Sequence, residues 1–522
     1  MPAEATKTFD DFVKCGRYVL LVGVIHEFCA FIQLSSMFFM MFGGAEATPT
    51  SCGGFAFDKN MTSTEKCRIM RGLMNETHCK PVLSAQFDSI NYEFGYYCGT
   101  TKIVKQSIAV QMIGVLVGAL TFGQLSDLYG RKNLLLFTIV GCLTCTLASS
   151  FTGTLFSFTV WRFVLNIFVG GNGAILHTFM IESLPKKHRF WISNIAGWSI
   201  NMIFMVLLAM VAREWRALIH YTAAFSFPAL ILALMLHESP RFLLSKRRID
   251  DAKEVVKKIY KFDKRELDEQ QLDKVMEAEL VIIERMEEKQ KNYTFWHLFY
   301  TPKLTGYTLA VGLTLFTASS LNYSLLFNIS RLSGNIYLNA LYTAIGRYLV
   351  NLFAIALDLR FKSMGRKALH AIGEGLIVML FCSYIAGRLG GFQSHQLLSY
   401  EIMGVICLST LLFVTGHFLA AELYPTQIRN ISFSAGQLFS RCGVIVSPLF
   451  FVLAEVHPIL PYVALLLLCA TDFVVFWAVM DETKDKELID FMPPKEESWS
   501  HRLKRRSRRV HAGNYENGNN KV

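Results

Sequence analysis

The chain has 522 residues, of which 52% are hydrophobic and only 18% charged, with a formal net charge of +11. A soluble protein of this size carries about 25% charged residues, so the composition excludes an ordinary water-soluble enzyme. The basic excess sits in short loops and a tail, and it calls for no nucleic-acid partner.

Apolar runs of roughly 18 to 26 residues separate these charged stretches, long enough to cross a bilayer. Lipid offers the backbone no hydrogen-bond partner, so each run must be helical. Twelve spans are predicted, at roughly 18–42, 105–126, 133–151, 155–180, 190–212, 217–237, 304–328, 336–357, 368–388, 398–420, 431–453 and 459–480. The first is too long for a signal core and its leader is not clearly basic, so it is expected to remain as a helix. The fold class is therefore an all-α membrane protein.

Residues 1–17 form the N-terminal segment and 18–237 the first six-helix half, whose long loop spans 43–101. That loop carries Cys52, Cys67, Cys79 and Cys98, an even set expected to form two disulfides in one of three pairings. It also carries Asn60-Met-Thr and Asn75-Glu-Thr, both glycosylation acceptors. Lys and Arg crowd the short loops 128–132, 184–189 and 359–367, whereas 152–154 and 454–458 have none. The basic loops are thus expected in the cytoplasm, with both termini inside and the cysteine loop outside.

Residues 238–303 link the halves. Val255, Val256 and Ile259, then Leu272, Val275, Met276 and Leu280, recur at helical spacing among charges and predict amphipathic helices beneath the bundle. Residues 304–480 make the second six-helix half. The tail, 481–522, holds the basic run 501–509, suited either to anionic lipid or to solvent.

Three landmarks occur twice in the same order. Glu182-x-x-Pro185-x-x-x-Arg189 returns as Glu422-x-x-Pro425-x-x-x-Arg429, and Gly130-Arg131-Lys132 returns as Gly365-Arg366-Lys367. Glu238-Ser239-Pro240 is echoed by Glu482-Thr483-Lys484. A nearly constant offset marks two copies of one folding unit, the sign of a transporter built from two halves around a midplane site.

Gly123-Gln-Leu-Ser-Asp127-Leu-Tyr-Gly130-Arg131-Lys132 resembles the G-x-x-x-D-R-x-G-R-[KR] loop of the major facilitator superfamily. Asp127 is expected to cap the next helix or to pair with a base in the opposing half, and Arg131 to pair with an acid, giving a two-state latch. Leu128 replaces the usual Arg, and Lys362 stands at the matching acid position. Together with Glu214-Trp215-Arg216, Glu238-Ser-Pro-Arg-Phe-Leu-Leu244 and Ala421-Glu-Leu-Tyr-Pro-Thr426, the set resembles the organic ion transporter family of cation, anion and carnitine carriers, over about residues 10–485. The resemblance implies alternating access, with Asp127, Arg131, Glu182, Arg189, Glu422 and Arg429 as gating residues.

The resemblance also suggests the substrate's charge. Arg441, in span eleven, stands where cation-carrying relatives have an aspartate and where anion and carnitine carriers have an arginine. It therefore favours a carboxylate-bearing substrate. Arg347, in span eight, replaces a usual acid and points the same way. The alternative for each is a structural ion pair with Asp472 or Glu374. Tyr323 and Phe413 align with aromatics that contact substrate in anion carriers, and Asn322 stands where those relatives have another Tyr. His26, Glu27 and His417 are candidates for substrate binding or proton carriage, against a purely hydrogen-bonded role, and His177 is assigned a structural one.

The expected function is transport of small organic ions across the plasma membrane, with organic anions or zwitterions preferred. A cation or carnitine carrier is the first alternative, and a non-transporting receptor on a carrier fold the second. No nucleophile–base set, zinc spacing or phosphate loop is present, so neither an enzyme nor a cofactor or metal is expected. Expected partners are the solute, membrane lipid and a coupling ion (sodium or proton) or an exchanged anion.

Overall fold

The computed structural model describes residues 12, 15–58, 61, 63–183, 198–289, 293–361, 364–391, 394–425, 427–483, 492–494 and 498–499. The membrane helices are α1 (Arg17–Gly43), α2 (Thr101–Tyr129), α3 (Arg131–Ser150), α4 (Leu155–Ser183), α5 (Trp198–Ala212), α6 (Trp215–Leu234), α7 (Pro302–Leu326), α8 (Ile336–Arg360), α9 (Arg366–Leu389), α10 (His395–Glu422), α11 (Arg429–Phe450) and α12 (Leu460–Val479). Eleven of them are long and apolar enough to cross a membrane. The described part of α5 is apolar but shorter, because the predicted start of that span at 190 lies outside the described residues.

Several helices outrun their apolar cores. The span predicted at 105–126 runs from Thr101 to Tyr129, and that predicted at 398–420 runs from His395 to Glu422. Helical hydrogen bonding continues into the headgroup layer, where long polar side chains reach water, so hydropathy alone marks the ends short.

The starts of α7 and α8 have a local cause. Thr301 accepts a hydrogen bond from the Leu304 amide at 3.2 Å, and Pro302 opens α7, where no amide hydrogen is needed. Asn335 caps α8 in the same manner through the amides of Tyr337 and Leu338. Close helix pairs rest on glycine. At Gly118 a side chain would run into the Ile167 backbone, and at Gly170 into that of Val115, so α2 and α4 approach backbone to backbone.

At one end of the bundle sits the cysteine loop, a three-stranded antiparallel sheet in the order β2-β1-β3 with a helix, Ser63–Thr77, beside it. The strands are β1 (Thr48–Cys52), β2 (Phe55–Ala56) and β3 (Pro81–Ser84). Cys52 is bonded to Cys79 and Cys67 to Cys98, around a small core of Cys52, Phe57 and Met70. The loop is seated by backbone bonds between Asp88 and Arg213 and between Trp215 and Asp88. Asn75 is exposed on the loop's helix, and Asn60 lies outside the described residues.

At the opposite end, helices Pro240–Ser245, Ile249–Asp263 and Glu269–Lys289 pack through Phe242, Leu243, Leu244, Ala252, Val256, Tyr260, Leu272, Val275 and Met276. Tyr260 donates to the Phe12 carbonyl at 3.1 Å, and Asp263 accepts from the Tyr18 amide at 2.8 Å. These bonds fasten the segment under α1.

Candidate functional site

The repeated landmarks converge in space. At the α2–α3 turn, Glu238 accepts from the backbone amides of Arg131 at 2.9 Å and of Lys132 at 3.2 Å. A carboxylate thus caps the positive end of α3. Gly130 has φ +103°, and a Cβ there would stand 2.6 Å from Glu238 Oε2, so only glycine fits the turn. The second copy repeats the device, with Glu482 accepting from the amides of Arg366 at 2.8 Å and Lys367 at 3.2 Å. A Cβ on Gly365 would run into the Glu482 carboxylate.

The side chains repeat as well. Arg131 forks onto Glu182 at 3.1 and 3.3 Å, donates to the Ser126 carbonyl at 2.8 Å and covers the Phe242 ring at 4.5 Å. Arg366 faces Glu422 at 3.5 Å, and Glu422 also accepts from the Thr483 hydroxyl at 2.5 Å. These pairs lie within a half, not between halves. Asp127 binds Arg131 of its own half at 3.0 Å and is 69% exposed, so in this conformation its ion pair lies within the half. The α2–α3 turn folds back on α4 and the 238–245 segment, where Arg131 meets Glu182 and Phe242. Arg429 donates to the Tyr424 carbonyl at 3.4 Å. Arg189 and Lys362 lie outside the described residues.

Contacts that do join the halves gather toward the cysteine-loop end. Glu46, just after α1, accepts from Arg331 at 2.6 and 3.1 Å and meets Lys105 at 3.2 Å. Phe42 stacks on Tyr337 at 5.9 Å, and the Tyr337 hydroxyl donates to the Gln86 carbonyl at 3.0 Å. Burial alone would raise the Glu46 carboxyl, but Arg331 and Lys105 overrule it and hold it below the ordinary carboxylate range. A depressed folded pKa stabilises at pH above the unfolded value, about 4.3 for Glu, and the contribution is lost as pH falls through the folded value. At neutral pH, Glu46→Gln is therefore expected to loosen this closure. A thiol probe on Ala340→Cys, at a position fully buried on α8, should react a few-fold faster in the Glu46→Gln background, the scale of a partly exposed pair. An unchanged labelling rate would discard the closure role.

Deeper in, Tyr323 of α7 stacks parallel on Phe38 of α1 with centroids 4.9 Å apart. Met37 receives both the Tyr323 hydroxyl at 3.8 Å and an Arg441 N–H at 3.7 Å. Arg347 of α8 is 7% exposed and donates from Nη1 to Asn322 Oδ1 at 3.0 Å, while its Nε has no acceptor among the described residues. Among the described residues no carboxylate lies within 4.0 Å of either guanidinium. The alternative pairings with Asp472 and Glu374 are thus corrected: both acids lie inside the second half with His370, beside Thr314 and Thr415.

One tier toward the basic-loop end, Glu27 bridges His26 at 3.2 Å and Asn201 of α5 at 3.2 Å. His417 donates from Nδ1 to the Phe413 carbonyl at 2.7 Å, which leaves Nε2 to accept from Gln437 at 2.8 Å. Phe413 lies partly buried, its ring 6.4 Å from that of His417. His177, assigned a structural role from sequence, is exposed on α4 and stacks across the halves on Phe433 at 5.3 Å. It stands within electrostatic reach of His26 and His417.

Sequence inspection missed Phe38, Met37, Gln437, Phe433 and Asn201, since apolar and amide residues inside apolar runs carry no signal. It recorded the Glu238 and Glu482 echo without its capping role. The two amides each carboxylate meets belong to the repeated Gly-Arg-Lys, so the shared offset of these landmarks was the available clue.

The pattern of the sugar (and other) transporter family matches residues 17–493. An uncharacterized Caenorhabditis elegans protein is 26% identical over 489 residues, covering 91% of this chain and 94% of that one. The organic cation transporter-like protein of Drosophila melanogaster is 25% identical over 424 residues, 78% and 72% of the two chains. Solute carrier family 22 member 6 of Pseudopleuronectes americanus is 26% identical over 380 residues, 71% and 65%. In structure, the inward-open xylose transporter XylE of E. coli superposes with a TM-score of 0.64 at 14% identity, over 90% of this chain and 98% of that one. A match across nearly the whole length outweighs the modest pairwise identities: the chain belongs to the sugar (and other) transporter family of the major facilitator superfamily, among its organic cation and anion transporters, which are multi-pass carriers and not enzymes.

Proposed function

We propose that this carrier moves small organic anions or zwitterions across the plasma membrane, with Arg441 as the substrate's principal counter-charge and Arg347 in support. The observation that carries the reading is the pair of interior guanidiniums, on α11 and α8, that lack a carboxylate partner within 4.0 Å among the described residues. A cation at membrane depth costs roughly 3 kcal/mol even on lenient scales, so it needs a counter-charge, and a substrate carboxylate supplies one. Tyr323, stacked on Phe38, offers an aromatic wall beside the two arginines. Asn322 takes part by holding Arg347, and His26, Glu27, His417 and Phe413 are assigned further substrate contacts one tier toward the basic loops.

In this orientation the cysteine loop is extracellular and both termini are cytoplasmic. Asn75 and Asn60 then face the glycosylation machinery.

Uptake in cells lacking endogenous carriers tests the substrate class. A panel of labelled aromatic monocarboxylates, zwitterions and permanent organic cations is expected to show anions first and cations last. Vigorous cation uptake with no anion uptake would overturn the assignment. Sodium-dependent uptake of a betaine-like zwitterion would favour the carnitine-type alternative.

A further inference from the structure

The second half contains a polar group that the transport reading does not use. His370 and Glu374 on α9 and Asp472 on α12 are each fully buried. His370 Nε2 lies 2.9 Å from Glu374 Oε2 and 4.0 Å from Asp472 Oδ2, and one atom from each residue falls within 4.8 Å of the others. Thr314 of α7 donates to Asp472 Oδ1 at 2.9 Å. Phe476 closes one face, stacked on the His370 ring at 3.6 Å.

The hydrogen bonds fix the proton positions. The Thr415 hydroxyl spends its hydrogen on the Leu411 carbonyl at 2.8 Å, so its oxygen accepts from His370 Nδ1 at 3.0 Å. His370 Nε2 then faces a carboxylate oxygen at hydrogen-bond distance, which requires a proton between them. Glu374 Oε1 and Asp472 Oδ2 have no donor among the described residues. A second proton, shared by the two carboxyls, satisfies both orphans and makes the group neutral. Without the protons, two negative charges would sit unpaired in a dry interior.

We infer that His370, Glu374 and Asp472 form a proton-binding site, and that the proton shared by Glu374 and Asp472 is exchanged during the transport cycle. This rests on the carrier reading for the cycle, but not for the site. Proton transfer here breaks and forms only O–H bonds, with the proton taken from and returned to water.

The duplication supplies an internal control. At the offset of the Gly-Arg-Lys landmarks, His370 and Glu374 match Leu135 and Ile139 on α3, both also fully buried. The fold thus accepts apolar residues at these places, and the polar set is not needed to build a half. Well-packed apolar replacements of buried ion groups are often neutral or stabilising, so stability does not require this set. His370 lies one turn along α9 from Arg366, which is at the basic-loop end and pairs with Glu422. Of the groups packed around the site, α7 and α10 present Thr314 and Thr415, and α12 adds the Cys469 thiol within electrostatic reach of both carboxyls. A zinc-type ion fits less well. Ligand atoms around a tetrahedral ion at about 2.1 Å stand roughly 3.4 Å apart, whereas Nε2 and Oε2 are at a hydrogen-bond separation.

Infrared difference spectra of the purified full-length carrier, taken across a pH titration, test the site. A carbonyl-stretch band of a buried protonated carboxyl is expected, lost in Asp472→Asn and retained in Glu254→Gln on the exposed linker surface. If Asp472→Asn does not fold, the His370→Leu/Glu374→Ile pair, copied from the first half, serves as the second variant and should also lose the band. No band removed by either variant, or one tightly held metal ion per chain by elemental analysis, overturns the site.

Coupling is tested in proteoliposomes with a labelled aromatic monocarboxylate and a one-unit pH gradient, acid outside. One-for-one coupling gives about tenfold accumulation, expected to collapse toward unity in the variants. Counterflow at equal pH reports carrier activity separately. Counterflow without gradient-driven accumulation overturns the coupling. The band present with no counterflow of any probe supports the proton site and counts against the anion reading.

Discussion

Arg441→Ala is expected to lower kcat/KM for an organic monoanion by about two to three orders of magnitude. Removing one partner of a buried, hydrogen-bonded charge pair costs roughly 3–5 kcal/mol, and each 1.4 kcal/mol is a factor of ten. The upper end applies if the substrate carboxylate is left without any cation. Arg347 moderates the loss, because it stands on the neighbouring α8 beside the same Tyr323. Its own replacement by alanine should cost less: one N–H is already committed to Asn322 at 3.0 Å, so fewer donors are free for substrate. Arg441→Lys retains a point charge but loses the planar fork, and should recover part of the rate without restoring affinity. Initial uptake rates, normalised to surface expression, measure all three. If Arg441→Ala leaves anion uptake and its KM unchanged, the guanidinium is not the counter-charge and the substrate assignment fails with it.

The architecture was legible for a physical reason. Lipid forces every crossing into a long apolar helix, so the spans stand out against charged loops, and the paired landmarks expose the duplication. Charges within spans stand out for the same reason, which is how Arg347 and Arg441 could be singled out. Met37 and Phe38, which hold the Arg441 and Tyr323 side chains, are apolar letters in an apolar run and could not be. His370 and Glu374 are one helical turn apart and so visible as a pair, but Asp472 joins them from another helix, and only packing reveals the set. The cysteine loop showed four cysteines without their pairing, since connectivity depends on which strand lies beside which. The latch motif shows that Arg131 and Asp127 are charged, but not that the turn folds back onto its own half.

That intra-half geometry sets the expected effect of Arg131→Ala. Arg131 is 7% exposed and makes a forked bond to Glu182, a bond to the Ser126 carbonyl and a cation–π contact with Phe242. Its removal strands Glu182, whose side chain is only 17% exposed, beside a helix end already occupied by the Glu238 carboxylate. About 3 kcal/mol of stability is expected to go, the low end for a buried pair because Glu182 retains some water. Unfolding of a chain this large is seldom reversible, so the loss is read as a lower apparent Tm in detergent, on the order of 5 °C. Arg366→Ala should cost less. The matching Arg366–Glu422 pair is longer, at 3.5 Å, and 22% exposed on both sides, and Glu422 keeps the Thr483 hydroxyl. A double-mutant cycle of Arg131→Ala with Glu182→Gln separates the pair from the packing. Coupling near zero would mean that Arg131 acts through Phe242 and the Ser126 carbonyl alone. Non-additive loss of a few degrees in apparent Tm would show a charge pair that fastens the α2–α3 turn to α4 and keeps each half rigid as it rocks.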